Sequence, residues 1–253
     1  MKEYALITGA SSGIGAALAL TLAKQGYNII ALGQNTSKLD KLAYIITTNF
    51  ELDVLTYKID LTNVSATKCL LKKLKLINKN ITFFINNAGV GYFGKFSDIS
   101  LEEDIKTINL NILACTTFLK EMLTILNTDA KIIMVASTAG FAPGPYMATY
   151  YASKAYILNL SLALRSEGLN ISILAPGPTK TNFQSRANMQ KSKLAHFFAM
   201  DPTKVATIAY KGALKNQAII IPGFFNKICV IVLLLAPYKL KTAFVKKTNQ
   251  TKN

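Results

Sequence analysis

The chain has 253 residues, 51% of them hydrophobic and 17% charged, enough for one α/β domain with a sizeable core and too apolar for a disordered chain. Lys and Arg total 29 against 13 Asp and Glu, a formal net charge of +16. With no long basic tract and no basic–aromatic alternation, this reads as lysines spread over solvated helix faces, and no nucleic-acid partner is expected.

Strand and helix patterns alternate along the chain. Tyr4 to Ile7 is predicted as a strand, followed by a glycine-rich turn and a helix over Ile14 to Gln25. Strands are predicted at Asn28–Leu32 and Val54–Ile59, with helices at Ser37–Thr47 and Ala66–Ile77. A fourth strand at Ile81–Ile85 leads into a long helix, Leu101–Leu126. Ile132–Val135 and Ile171–Leu174 are strands flanking a helix over Tyr151–Arg165. Asn182–Met200 is irregular; Asp201-Pro202 then starts a helix over Thr203–Leu214, and Ala218–Ile221 is a short seventh strand. Short apolar strands alternating with helices imply a doubly wound parallel sheet covered on both faces, in a single domain over residues 1–253.

Three distant cysteines, Cys69, Cys115 and Cys229, give no disulfide framework and fit a reducing compartment. The single histidine, His196, rules out a histidine-rich metal site, and no metal is expected. The start, MKEYALITGA, lacks the layout of a signal peptide, so a cytoplasmic location is expected. The most apolar run, Ile228 to Ala236, falls far short of the ~20 residues that span a bilayer.

The first strand ends in Thr8-Gly9-Ala10-Ser11-Ser12-Gly13-Ile14-Gly15. Glycines between a strand and a helix let the backbone approach a pyrophosphate, and the helix N-terminus adds free N–H groups and positive potential. Tyr150 and Lys154 lie four residues apart on one helix face. An ammonium beside a phenol favours the phenolate, so Lys154 is expected to lower the Tyr150 pKa toward working pH and make it a proton donor and acceptor. Tyr151 is the nearest rival, but position 155 is Ala155. The Ser137 hydroxyl can hold and polarise a substrate oxygen, with Thr138 beside it as the alternative.

TGASSGIG, Asn86-Asn87-Ala88-Gly89, Asn109, Ser137, the Tyr150–Lys154 pair and Pro176-Gly177 with Thr181 occur in order. Together they resemble the motifs of the short-chain dehydrogenase/reductase family up to the last strand. The resemblance implies a Rossmann-type fold and an oxidoreductase that interconverts a carbonyl and a secondary alcohol with NAD(P)(H). It implies Asn109, Ser137, Tyr150 and Lys154 as the catalytic set, with Asn109 holding a water in a relay to the lysine and Asn111 as its alternative. Gly9, Ser11, Ser12, Gly13, Ile14 and Gly15 would hold the pyrophosphate. Asp60 and Leu61 would meet the adenine, and Asn87, Ala88 and Gly89 would pass under the ribose. Pro176, Gly177, Thr179 and Thr181 would close over the nicotinamide. A non-enzymatic dinucleotide sensor or scaffold, the rival reading, would need no proton donor.

One departure bears on the cofactor. The stretch Ala31-Leu32-Gly33-Gln34-Asn35-Thr36-Ser37-Lys38 carries no acidic residue to bind a ribose 2′-hydroxyl. Gln34 stands where NADP-preferring relatives carry Arg, so NADP(H) is expected over NAD(H). Lys38, Ser12, Thr36 and Ser37 are candidates to hold the 2′-phosphate. Substrate choice is assigned to Gly91–Phe96, Thr138–Ala148 and a substrate loop, 182–200. These carry Tyr92, Phe93, Phe141, Met147, Phe183, Phe197 and Phe198 with Arg186, Lys191 and Lys193, which suits a small-molecule ketone of apolar or lipid-like character. His196 is read as a loop residue. The extension 223–253 is apolar and then basic. It is expected to pack in the core or against a second subunit of a homo-oligomer, with peripheral membrane contact as the alternative.

Overall fold

The computed structural model describes residues 2–187 and 199–250. Seven strands form one parallel sheet: β1 (Glu3–Thr8), β2 (Asn28–Gly33), β3 (Val54–Lys58), β4 (Asn80–Asn86), β5 (Lys131–Val135), β6 (Ile171–Leu174) and β7 (Ile219–Ile220). Their order across the sheet is β3-β2-β1-β4-β5-β6-β7. The chain winds outward from β1 in one direction, then returns to its other side with β4. That reversal opens a crevice at the carboxyl ends of β1 and β4, where ligands bind in sheets of this kind.

The inner strands β1, β2, β4, β5 and β6 are buried on both faces, and their alternation shows which core each residue enters. Tyr4 and Leu6 of β1, with Ile132 and Met134 of β5, face one core. Ala5, Ile7, Ile133 and Val135 face the other. The first core is covered by α3 (Val64–Ile77), α5 (Cys115–Met122) and α6 (Ala148–Ser166), through Leu70, Phe118 and Ile157. The second is covered by α1 (Gly13–Ala23), α2 (Thr36–Phe50) and α8 (Pro202–Leu214), through Leu18, Leu39 and Val205.

Local chemistry sets the helix starts. The Asn35 and Asn63 side chains accept from the N–H groups of Lys38 and Ala66, capping α2 and α3. Ser100 and Glu103 form a reciprocal capping box at α4 (Leu101–Ile108). Asp201 caps α8, with Pro202 in the first turn.

Three expectations are corrected. The long helix over Leu101–Leu126 is α4, a π-helical turn over Asn109–Ala114, then α5 ending at Met122. The segment read as irregular holds a short helix, α7 (Phe183–Arg186). Residues 223–253 contribute two helices, α9 (Phe224–Leu235) and α10 (Tyr238–Asn249), separated at Pro237. Within the 182–200 loop, Lys191, Lys193, His196, Phe197 and Phe198 lie outside the described residues.

Candidate active site

A cleft of about 450 Å³ runs along the carboxyl ends of the strands, from the β1–α1 turn to α6 and α7. Its floor starts at the glycine turn. Gly9 and Gly13 have φ of +68° and +59°, which side chains disfavour. A methyl group at Gly15 would collide with the Gly9 carbonyl oxygen and the Asn87 amide. The cradle is thus closed to side chains and faces the N-terminus of α1, a fit for a pyrophosphate. Ser11, Ser12 and Ile14 line the cleft here with Gly9 and Gly13, whereas Gly15 packs behind the turn.

Thr8, which the sequence reading passed over, fixes this turn to β4. Its hydroxyl oxygen accepts the N–H groups of Asn87 and Ala88 at 2.8 and 2.9 Å. The Asn87 amide in turn donates to the Thr8 and Gly9 carbonyls at 2.9 and 3.3 Å. The Asn87 side chain therefore holds the protein to itself, and the backbone of Asn87, Ala88 and Gly89 forms the cleft wall.

Asp60 and Leu61 line the far end, beside Gln34. Desolvation pushes the Asp60 pKa up. The hydrogen bonds from Thr62 and Gln34 and the charge of Lys106 prevail and hold it below the usual carboxylate range. Lys106 of α4 lines this end of the cleft, a cation that sequence reading missed. Lys38, Thr36 and Ser37 are not among the cleft-lining residues; Lys38 lies in the first turn of α2, its N–H capped by Asn35.

At the other end Ser137, Tyr150 and Lys154 converge. Ser137 follows β5; its hydroxyl accepts from the Ala139 N–H at 3.1 Å, donates to the Pro176 carbonyl at 3.3 Å and sits near enough to the Tyr150 phenol to pull its pKa down. The Tyr150 ring packs on the Gly91 backbone and on Phe183, 5.3 Å between centroids. Lys154 is 4% exposed, and its Nζ donates to the Val135 carbonyl at 2.9 Å. That Nζ lies 5.8 Å from the Tyr150 ring centroid.

The expected effect of Lys154 on Tyr150 does not hold for the protein alone. Burial raises the phenol pKa above its ordinary value, with the Ser137 hydrogen bond opposing it. The same burial lowers Lys154 to about 8. Cys115 nearby is no nucleophile, because burial pushes its thiol up to about 11 against the opposing Lys154 charge.

The asparagine that reaches this site is Asn111. Its Oδ1 accepts the Val90 N–H at 2.9 Å, and its Nδ2 donates to the Val90 carbonyl and the Ser153 hydroxyl at 2.8 and 2.9 Å. Asn111 and the Lys154 Nζ both lie against Gly89, within van der Waals distance of where a β-carbon would stand. Neither asparagine lines the cleft itself: Asn111 is fully buried behind Gly89 and Val90, whereas Asn109 is half-buried. A regular helix puts residues two apart on different faces; the π-helical turn changes that phase and widens the helix beside the cleft.

The loop after β6 reaches the same cleft. Pro176, Gly177, Thr179 and Thr181 line the cleft. Thr181 rests on Gly13, closing the gap between the two ends of the phosphate turn's surroundings. Thr179 donates to the Gly177 carbonyl at 3.0 Å. Gly177 is covered by Asn226 of α9. Tyr151 is engaged elsewhere: Asn249 of α10 donates to the Pro145 carbonyl at 2.9 Å and lies 3.4 Å from the Tyr151 hydroxyl. No sequence signal marks Asn249, because the contact spans 98 residues.

The sequence matches the profile of the short chain dehydrogenase family over residues 3–192. An uncharacterized oxidoreductase of Schizosaccharomyces pombe is 32% identical over 196 residues, 74% of this chain and 64% of that protein. A very-long-chain 3-oxoacyl-CoA reductase of Pyrenophora tritici-repentis is 36% identical over 172 residues, 65% of this chain and 50% of that protein. The chain thus spans between half and two-thirds of the length of these curated relatives. Among solved structures, a short-chain dehydrogenase from Sphingobium yanoikuyae in complex with NADPH matches with a TM-score of 0.81 at 25% identity, over 100% of this chain and 98% of that one.

Proposed function

This chain belongs to the short chain dehydrogenase family, and from that premise we propose that it interconverts a carbonyl and a secondary alcohol on an apolar substrate, with NADP(H) preferred over NAD(H). The carrying observation is the convergence of Ser137, Tyr150 and Lys154 at one end of a cleft whose other parts suit a dinucleotide. A bound nicotinamide dinucleotide supplies or accepts the hydride. Gly9, Ser11, Ser12, Gly13 and Ile14 would hold its pyrophosphate, and Asp60 and Leu61 would flank its adenine. Pro176, Gly177, Thr179 and Thr181 would cover its far end.

In the reductive direction Tyr150, whose raised pKa keeps it protonated, gives its proton to the substrate oxygen while the Ser137 hydroxyl holds that oxygen. Lys154 orients and polarises this end through its charge, and Asn111 positions the wall opposite. The absent carboxylate after β2 and the presence of Lys106 beside Asp60 support a 2′-phosphate. Tyr92, Met147, Tyr151 and Phe183 make the substrate end apolar. The name of the P. tritici-repentis relative supports an extended 3-oxoacyl ketone as the substrate class.

The test is a panel of ketones and 3-oxoacyl thioesters, read by nicotinamide absorbance with NADPH and NADH. Tyr150→Phe is expected to keep cofactor binding and lose turnover by roughly 10²–10⁴-fold, the contribution of a positioned acid. Unchanged turnover in that variant would remove Tyr150 from the role, and loss confined to Tyr151→Phe would move it by one residue.

A further inference from the structure

We infer that the outward face of α9 and α10 rests on an anionic lipid surface. The two helices are anchored to the domain from within. Leu233 and Val245 are buried in one cluster with Ala139, Met147 and Tyr151, and the Asn249 side chain is hydrogen-bonded to the Pro145 carbonyl. What they turn outward is therefore a fixed surface. Phe224, Ile228, Ile231 and Leu235 are exposed at spacings of four, three and four residues, one stripe of a helix. Phe224 is 72% and Leu235 81% exposed. Leu240 and Phe244 of α10 are exposed one turn apart. A continuous apolar face of this kind marks a partner or a membrane.

Charge decides between those occupants. Lys227, Lys239, Lys246 and Lys247 are exposed on the same two helices, and Asp201 is the last acidic residue in the sequence. A two-fold contact through this face would set lysine against lysine with no carboxylate on either helix to pair with them. Anionic headgroups pair with those lysines while the apolar stripe enters the acyl boundary. The helices lie flat: no helix among the described residues is long and apolar enough to cross a membrane, and α9 has 12 residues before Pro237 interrupts. The inference is independent of the reaction proposed above. It takes up the alternative reading of this segment, peripheral membrane contact, for the face that Leu233 and Val245 leave outward.

The experiment is co-sedimentation of the full chain with vesicles of phosphatidylcholine alone or mixed with phosphatidylglycerol, at low and high salt. The expected result is binding to the mixed vesicles, weakened by salt, with little binding to phosphatidylcholine. Ile231→Glu with Leu235→Glu should lower partitioning at least tenfold, leaving melting temperature, sedimentation mass and cofactor binding as in the parent. Lys239→Gln with Lys246→Gln, which touches no apolar residue, should lower it roughly fivefold per lysine and serves if the glutamate variant fails to fold. Three outcomes would overturn the inference: a parent protein indifferent to mixed vesicles, variants that bind as well as the parent, or a sedimentation mass that falls in the variants while vesicle binding is nil, which would make a second copy the occupant.

Discussion

Asn111 carries more of the site than its position suggests, because one amide satisfies both backbone groups of Val90 and the Ser153 hydroxyl. Asn111→Ala leaves both half-buried backbone groups of Val90 without this partner, at about 1–3 kcal/mol for each, while the Ser153 hydroxyl keeps its bond to the Tyr150 carbonyl. A lowered melting temperature and lost turnover are expected together. Asn109→Ala should stay within about 0.5 kcal/mol of the parent; equal losses in the two variants would refute the distinction. Lys154 gives a pH signature. Below about 8 it is charged, and carbonyl reduction should hold; as pH rises through about 8 its charge is lost and the reductive rate should fall. Its folded pKa lies below the ordinary 10.5, so between those values the unfolded chain binds the proton that the folded chain has released. In that window the contribution of Lys154 to stability rises with pH. Rate profiles and denaturant titrations therefore move in opposite directions there, and parallel falls would contradict the buried ammonium. The Tyr150–Lys154 pair could be read from its helical spacing, and Ser137 from the family resemblance, since spacing alone left Thr138 beside it. Asn111 could not, because Asn109 and Asn111 take different helix faces and nothing local records which face turns to Val90 and Ser153.

Among the elements, the glycine turn and its strand show what periodicity reveals. The strands, their order of appearance and most helices follow from apolar runs and caps at Asn35, Asn63, Ser100 and Asp201. The break in the helix after Ile108 has no breaker residue, since Asn109–Ala114 holds neither proline nor glycine. The turn itself is tightly specified. Gly15→Ala would force a methyl group into the Gly9 carbonyl. Cofactor binding, followed by nicotinamide fluorescence, should be lost or weakened by at least tenfold in that variant. Gly26→Ala has open space around its β-carbon but a φ of +88°. It should lower the melting temperature and leave cofactor affinity alone. Equal affinity losses in both variants would show that strain, not the cradle, is what the assay detects.

Across the whole molecule, the wall behind Tyr150 is completed by a residue from the other end of the chain. Asn249→Ala removes the partner of the Pro145 carbonyl and should cost about 1–3 kcal/mol. For a domain of this size that lowers the melting temperature by roughly 2–4 °C per kcal/mol. An unchanged melting curve would mean α10 contributes nothing to this wall. Such contacts escape sequence reading because nothing local records a pairing across 104 residues.

The strand order also has a kinetic consequence. β1 lies inside the sheet between β2 and β4, yet one of its edges stays open until Asn80–Asn86 can pair with it. A ribosome that has made only β1, α1, β2, α2 and β3 has produced half a sheet whose apolar edge, Tyr4 to Ile7, can pair with any other chain. Parallel pairing over such separations is slow, because loop-closure entropy opposes it before any contact forms. The dangerous interval in the life of this protein is therefore the synthesis of α3, when β1 exists and its second neighbour does not.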